Sequence, residues 1–316
     1  MMNNEEPIHI AYCTDANYLE YVAISITSII LNNLNEEIYF HVFLYDVSQD
    51  EMKKLKNINK KINIYIINET ELNKYSIDFK INHLNKSTYI RLLAPRLLAN
   101  ITEKFIYLDA DILCFANISS IREINIDDVV CAASADSLPG KKDSSPKRLG
   151  MKKNYYFNAG FLYININNWI KKNIEKKTND ILYNSHNSFK YYDQDALNII
   201  LQGQVKPIDN TWNFLFTWMS EKEKEHYFFN KDTLPNFIHF TGGRKPWYIE
   251  HDGLSQQLYI FYKHFTPWAQ EPLKSYKNKM RSTDYRVYAK SYFKKKKFLS
   301  AANHYVKYLI SKTKSH

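Results

Sequence analysis

An α/β fold with a mainly parallel central sheet, covered by helices on both faces, is predicted for this 316-residue chain from three observations. Short apolar runs alternate with stretches of helical spacing, the order that a parallel sheet with crossover helices requires. Hydrophobic residues make up 45% of the chain and aromatic residues 15%, enough to bury a sizeable core. The seven glycines are too sparse to give G-x-G-x-x-G or G-x-x-x-x-G-K-[ST], so the dinucleotide and P-loop versions of such a sheet are excluded.

The elements follow in order. Residues 8–13 form an apolar strand, residues 19–31 have helical spacing, and residues 38–45 form a second strand. Ser48 with Glu51 makes a capping box for a helix reaching about residue 57, and residues 62–67 alternate as a strand. Residues 87–98 have helical spacing despite Pro95, and residues 104–108 form a strand leading into Asp109-Ala110-Asp111. Downstream, residues 129–134 and 155–166 read as strands, with a loop over 134–153 that is a candidate lid. A polar helix over about 168–185 precedes one that Asp193 caps and Gly203 ends. Residues 236–240 form a last buried strand.

The charge is unevenly placed. Lys and Arg number 43 against 33 Asp and Glu, a net charge of +10. Residues 271–316 hold 13 basic and 2 acidic residues, which leaves 30 against 31 in the first 270. Within this tail Leu299, Ala302, Val306 and Ile310 recur at helical spacing beside Lys307 and the lysines at 294–297. That is a basic amphipathic helix suited to an anionic membrane surface. Its alternative is a helix packed by that stripe on the protein; nucleic-acid binding is not expected, because the rest of the chain has no basic excess. Cys13, Cys114 and Cys131 form no C-x-x-C pair, which argues for a reducing compartment and against a structural zinc site. The acidic start MMNNEEPIHIAYC is unlike a signal peptide, and the longest apolar stretch, residues 21–31, falls short of a membrane span. A cytoplasmic protein, peripheral on the inner face of the cytoplasmic membrane, is therefore expected.

Side chains two apart on an extended backbone point the same way, so Asp109 and Asp111 present two carboxylates at a strand end. Hard oxygen ligands in that arrangement suit Mn²⁺ or Mg²⁺, which also takes oxygens from a diphosphate. His239, near the end of the strand NFIHF, is a further candidate ligand. The Thr241-Gly242-Gly243-Arg244-Lys245 segment that follows allows close backbone approach to a phosphate, with Lys245 to neutralise it.

Six motifs occur in order over residues 8–250: Thr14-Asp15-Ala16-Asn17-Tyr18, Ser87-Thr88-Tyr89-Ile90-Arg91-Leu92, Tyr107-Leu108-Asp109-Ala110-Asp111, Tyr156-Phe157-Asn158-Ala159-Gly160, Asp193-Gln194-Asp195, and His239-Phe240-Thr241-Gly242 through Lys245-Pro246-Trp247. Together they resemble the family 8 glycosyltransferases, in particular the bacterial lipopolysaccharide galactosyl- and glucosyltransferases. The resemblance implies a glycosyltransferase-A fold, Rossmann-like, as a catalytic domain over residues 1–250, with a small helical, basic C-terminal extension over 251–316. It implies that Asp109, Asp111 and His239 hold Mn²⁺, with Mg²⁺ as the alternative ion, against the diphosphate of a UDP-sugar, with Lys245 and Gly242 on the phosphates. Asp15 and Asn17 would hold the uridine and Tyr18 would stack on uracil. Arg91, Asn158, Ala159 and Asp193 would contact the donor sugar, and Gln194 would sit near the anomeric carbon. Asp193, Gln194 and Asp195 are thus the catalytic candidates.

The activity this implies is retaining transfer of a hexose, from UDP-galactose or UDP-glucose, to a lipid-linked oligosaccharide of the lipopolysaccharide or lipooligosaccharide core. Another glycan or protein acceptor is the nearest alternative, and a non-catalytic basic membrane-binding protein is the alternative of a different class. No carboxylate nucleophile is obvious, so front-face attack is favoured over double displacement through Asp195 or Gln194.

Overall fold

The computed structural model describes residues 6–68, 86–137, 144–185, 189–230, 234–277 and 280–313, with the backbone only at 86–88 and 185. The chain runs β1 (Ile8–Asp15), α1 (Leu19–Asn32), β2 (Ile38–Tyr45), α2 (Gln49–Lys56), β3 (Ile62–Ile66), α3 (Lys86–Leu98), β4 (Lys104–Leu108) and β5 (Ile112–Cys114). It continues with β6 (Cys131–Ala133), α4 (Ser145–Arg148), β7 (Phe161–Asn165), α5 (Ile166–Lys171), α6 (Ile174–Ser185), α7 (Tyr192–Ile200), β8 (Val205–Pro207) and β9 (Phe214–Leu215). Last come α8 (Glu221–Asn230), β10 (Phe237–His239), α9 (Leu254–Lys263), α10 (Ser282–Lys294) and α11 (Phe298–Thr313).

The large sheet has the order β3-β2-β1-β4-β7-β6-β8, and a small sheet the order β5-β10-β9. β1 is parallel to β2 and β4, β2 is parallel to β3, and β8 is parallel to β6. Only β7 runs antiparallel to its neighbours in the large sheet, β4 and β6. The mainly parallel α/β architecture expected from the sequence is therefore present.

Both faces of this sheet are covered, which is why β1, β2 and β4 read as nearly unbroken apolar runs. Ile10 and Tyr12 of β1 share one core cluster with Val22, Ala23 and Ile26 of α1. Ala11 shares the other with Ile90 and Leu93 of α3, Tyr107 of β4 and Trp169 of α5. Burying each large apolar side chain contributes about 1.5–3 kcal/mol relative to exposure, so these two clusters clamp the strands that carry the site. Strand order reverses between β1, with β2 beside it, and β4. In open parallel sheets ligands bind at such a switch point, beyond the carboxyl ends of the strands. Asp15 ends β1 and Asp109 follows β4 at that place.

Three elements depart from the sequence reading. The single helix expected over 168–185 is two, α5 and α6, because Asn173 between them takes φ 54°, a left-handed conformation that Asn tolerates. Asp193 does not cap α7: Tyr191 occupies the N-cap without a side-chain bond, and Asp193 sits in the first turn. The strand expected over 155–166 is regular only from Phe161. Before it, the N–H groups of Phe157, Ala159 and Gly160 bond to side chains of Asn198, Gln194 and Asn158 and not to a neighbouring strand. Of the loop expected over 134–153, residues 138–143 lie outside the described residues, and residues 145–148 form α4. Ser48 caps α2 as expected, accepting from the Glu51 N–H at 3.3 Å, and Gly203 beyond α7 has φ 77°.

Residues 1–246 with 253–271 form one compact unit, and residues 247–252 with 272–316 a second. In the second unit α10 and α11 pack together, with the His304 ring 4.9 Å from that of Tyr292 and Ala301 buried. The predicted stripe of Leu299, Ala302, Val306 and Ile310 is exposed, Leu299 to 90%. Among the described residues α11 does not pack by that stripe; its contact face runs through the small Ala301 and through His304. No helix among the described residues is long and apolar enough to cross a membrane.

Candidate active site

The turn after β4 is pinned from two sides. The Asp109 N–H donates to the Gly160 carbonyl at 2.8 Å, and the Asp111 carbonyl accepts from the Phe240 N–H at 2.9 Å. β10, antiparallel to β5, brings His239 opposite Ile112. The ligand atoms of Asp109, Asp111 and His239 consequently lie within 4.8 Å of one another. Two carboxylate oxygens and an imidazole nitrogen at that spacing fit a divalent cation.

Asp111 lies between two partners: His239 Nε2 is 3.1 Å from Oδ1, and the Lys245 ammonium bonds Oδ2. Burial works to raise its pKa, but Lys245 and His239 outweigh burial and hold the carboxyl well below the usual range. It is therefore ionised at any physiological pH. Asp109 Oδ1 accepts from Arg91 Nη2 at 2.5 Å and from the Tyr107 hydroxyl at 2.8 Å. The same guanidinium places Nη1 2.9 Å from Asp193 Oδ2 and 3.3 Å from the Ala159 carbonyl, and it lies over the Tyr107 ring. Burial raises the pKa of Asp193 against the opposing effect of Arg91. Arg91 thus ties Asp109 to the helix α7 that carries Asp193 and Gln194.

A chain of amides fixes His239. Asp136, acceptor-only when ionised, takes the Asn158 Nδ2–H at 3.0 Å, which directs Asn158 Oδ1 to the Gly160 N–H at 3.0 Å and to Asn213 Nδ2 at 2.9 Å. Asn213 Oδ1 then faces His239 Nδ1 at 2.9 Å and can only accept, so the proton sits on Nδ1. Nε2 is left without a proton, facing Asp111 at 3.1 Å. A metal-binding histidine generally needs such a partner to fix its tautomer.

Gln194 is equally constrained. Its Oε1 accepts from the Ala159 N–H at 3.0 Å, and its Nε2 donates to Asp136 Oδ2 at 3.0 Å and to the Tyr156 hydroxyl at 3.1 Å. Asp195, expected beside Gln194 as a catalytic candidate, is fully buried. Its oxygens accept from Arg148, from Tyr156 and from the N–H groups of Lys190 and Tyr191. Burial pushes its pKa up, but the bonds from Arg148, Tyr156 and the backbone outweigh it and lower the pKa.

The uridine candidates sit at the end of the adjacent strand β1. The Asn17 N–H donates to Asp15 Oδ1 at 2.9 Å, and Tyr18 is 39% exposed with its ring edge-on to Tyr21. Gly242 has φ 76°, which favours glycine, and nothing lies within 4 Å of where a Cβ would stand. The structure thus joins Arg91, Asp109, Asp111, Asn158, Ala159, Asp193, Gln194, His239 and Lys245 in one network. Asp136, Asn213, Arg148 and the Tyr156 hydroxyl also belong to it, and the sequence does not single them out. A signal existed only for Asp136, a lone carboxylate just past strand β6.

Glycosyl transferase family 8 matches residues 9–250. The chain belongs to that family. A lipopolysaccharide 1,2-glucosyltransferase of Escherichia coli K12 is 31% identical over 326 residues, covering 98% of this chain and 90% of that protein. A lipopolysaccharide 1,3-galactosyltransferase of Salmonella typhimurium is 27% identical, covering 98% and 93% respectively. The crystal structure of galactosyltransferase LgtC with donor and acceptor sugar analogues superposes with a TM-score of 0.70 at 23% identity, covering 84% of this chain and 98% of that one. That likeness shows the glycosyltransferase-A fold. The chain is a family 8 glycosyltransferase.

Proposed function

We propose that the protein transfers galactose or glucose from a UDP-sugar, with retention of anomeric configuration and with Mn²⁺, to a lipid-linked oligosaccharide of the lipopolysaccharide or lipooligosaccharide core. The observation that carries this reading is the Asp109–Asp111–His239 cluster, tied by Arg91 to Asp193 beside Gln194. The relatives named for lipopolysaccharide glucosyl- and galactosyltransfer, matched along nearly the whole chain, support the acceptor class.

Asp109, Asp111 and His239 would hold a divalent ion, which when bound would supply Lewis-acid charge to a departing diphosphate. Lys245 adds a fixed cation on the phosphates, so no acid is needed to protonate the leaving group. Asp193 and Arg91 take the sugar hydroxyls. The two oxygens of Asp195 are fully engaged by donors, and the Gln194 carbonyl oxygen is held by the Ala159 N–H. Those engagements favour front-face attack. The bond from the anomeric carbon to the phosphate oxygen breaks, the acceptor oxygen bonds the same face, and the acceptor proton passes to the departing diphosphate. The Thr241 hydroxyl, where an acceptor contact is expected, is buried and without a hydrogen-bond partner among the described residues.

The test is UDP release from a panel of UDP-sugars with and without Mn²⁺. Mn²⁺-dependent turnover of UDP-galactose or UDP-glucose is expected; Mn²⁺-independent binding of UDP with no turnover, even with acceptor present, would sink the reading.

The exposed face of α11 and the lysines at 294–297 support docking on an anionic bilayer at the inner face of the cytoplasmic membrane. Each lysine near the headgroups contributes about 1 kcal/mol. Replacing Lys294, Lys296 and Lys297 together by Gln should weaken binding to phosphatidylserine-containing vesicles about 100-fold while UDP release is unchanged. Unaltered vesicle binding in that variant would remove the membrane reading.

A further inference from the structure

We infer that Tyr156 and Arg148 are positioning residues that act on the reaction through the Gln194 amide, and that Asp195 serves them as a buried anchor. The inference rests on the reading of Gln194 as the group beside the anomeric carbon. It follows from donor and acceptor accounting. Arg148, the last residue of the short helix α4, donates two bonds to Asp195, Nη1 to Oδ2 at 2.9 Å and Nη2 to Oδ1 at 2.8 Å. The N–H groups of Lys190 and Tyr191 donate to Oδ2 at 2.9 and 3.1 Å. Asp195 therefore stays ionised although it is wholly buried, and an ionised carboxylate can only accept.

The Tyr156 hydroxyl, 2.5 Å from Asp195 Oδ1, must spend its one proton there. Burial raises the phenol pKa, so that proton is always present. What the hydroxyl offers in the other direction is a lone pair, and Gln194 Nε2 stands 3.1 Å from it. The second Nε2 proton goes to Asp136 Oδ2 at 3.0 Å, and Oε1 takes the Ala159 N–H at 3.0 Å. A flipped amide would set its oxygen against a carboxylate and a lone pair, and its NH₂ against an N–H. Only one orientation of Gln194 is compatible with a hydroxyl committed to Asp195. The polarity of the Arg148–Asp195 pair is thus transmitted through one oxygen to the amide that faces the reacting carbon.

In the segment bearing Arg148, Ser145 and Pro146 are buried and the Lys152 N–H donates to Gln202 Oε1 at 2.9 Å. Its guanidinium also lies 5.7 Å from the Tyr191 ring centroid, next to the start of α7. Loss of the guanidinium therefore releases the carboxylate that anchors Tyr156.

The experiment is a double-substitution cycle in the full-length protein, reading kcat and KM for Mn²⁺-dependent UDP release from UDP-galactose and UDP-glucose. Tyr156→Phe should lower kcat about 10- to 50-fold with donor KM within about twofold, and Arg148→Gln should do the same. In a Gln194→Ala background each substitution should change kcat less than about twofold, because residues that act through one group are not additive. Retained Mn²⁺-dependent UDP binding in Tyr156→Phe separates positioning from misfolding, and Arg148→Lys, which keeps the charge but not the two-bond geometry, should fall between. An equal loss in both backgrounds, or a rise in KM alone, would mean that the pair only supports the fold. If Gln194→Ala is itself without effect, the assignment of Gln194 falls and the relay with it; if Gln194→Ala is impaired but Tyr156→Phe is not, the relay alone is overturned.

Discussion

Asp111→Asn should abolish Mn²⁺-dependent binding of UDP and lower kcat/KM for UDP release by at least about 10³-fold, or about 4 kcal/mol of transition-state stabilisation. The substitution keeps the shape of the side chain and removes one oxygen ligand and one negative charge. Asp111 is the more informative of the two carboxylates because its partners are His239 and Lys245, the other groups expected around the metal and diphosphate. Asp109→Asn would also disturb Arg91 and Tyr107, which both bond Asp109 Oδ1, and so would mix loss of a carboxylate of the Asp109–Asp111–His239 cluster with displacement of the Arg91 guanidinium. Isothermal titration of UDP with and without Mn²⁺ checks the first part, and initial rates of UDP release the second. Unchanged Mn²⁺-dependent affinity for UDP in Asp111→Asn would remove the metal from this site.

The two carboxylates were legible because the apolar run of β4 ends just before them and a period of two sets both on one side. The approach of His239 to them was not. It depends on β5 and β10, strands of three residues each, too short to leave a pattern, that pair antiparallel across 127 positions of sequence at His239 and Ile112. Asp136, Asn158, Asn213 and His239 are joined by bonds spanning 22, 55 and 26 residues. Asp136 and Asn213 are polar residues in or beside loops, outside every motif, and their part in this chain of bonds appears only when the protein is folded. The position of Asp193 has a similar cause. An acidic residue before an apolar periodic stretch reads as an N-cap, but the chain enters α7 through Tyr191 and Tyr192, the latter at φ 35°, and this moves Asp193 into the first turn and toward Arg91. In the tail the helical period was readable but not its orientation: Ala301 and Ala302 are adjacent, and the packed face runs through the first of them.

Gly160→Ala should eliminate Mn²⁺-dependent UDP binding as fully as a ligand substitution, although Gly160 carries no side chain. A Cβ at position 160 would stand 2.3 Å from His239 Cε1 and 2.9 Å from His239 Nδ1, closer than real side chains approach. The ring cannot withdraw cheaply. It is 3% exposed, its Nδ1 is bonded to Asn213 at 2.9 Å, and its Nε2 faces Asp111 at 3.1 Å. The backbone cannot withdraw either, since the Gly160 carbonyl accepts the Asp109 N–H at 2.8 Å and its own N–H bonds Asn158 Oδ1 at 3.0 Å. Overpacking of this kind costs about 1–3 kcal/mol of stability, and a displaced ligand ring costs about 100-fold or more in metal affinity. Glycine is therefore required here by the approach of the histidine and not by an unusual backbone angle. The discriminating variant adds His239→Ala to Gly160→Ala. Removing the ring should restore most of the lost thermal stability without restoring Mn²⁺-dependent UDP binding. A single Gly160→Ala protein that keeps Mn²⁺-dependent UDP affinity within a few-fold would show that His239 moves freely and is not the ring that completes the metal cluster.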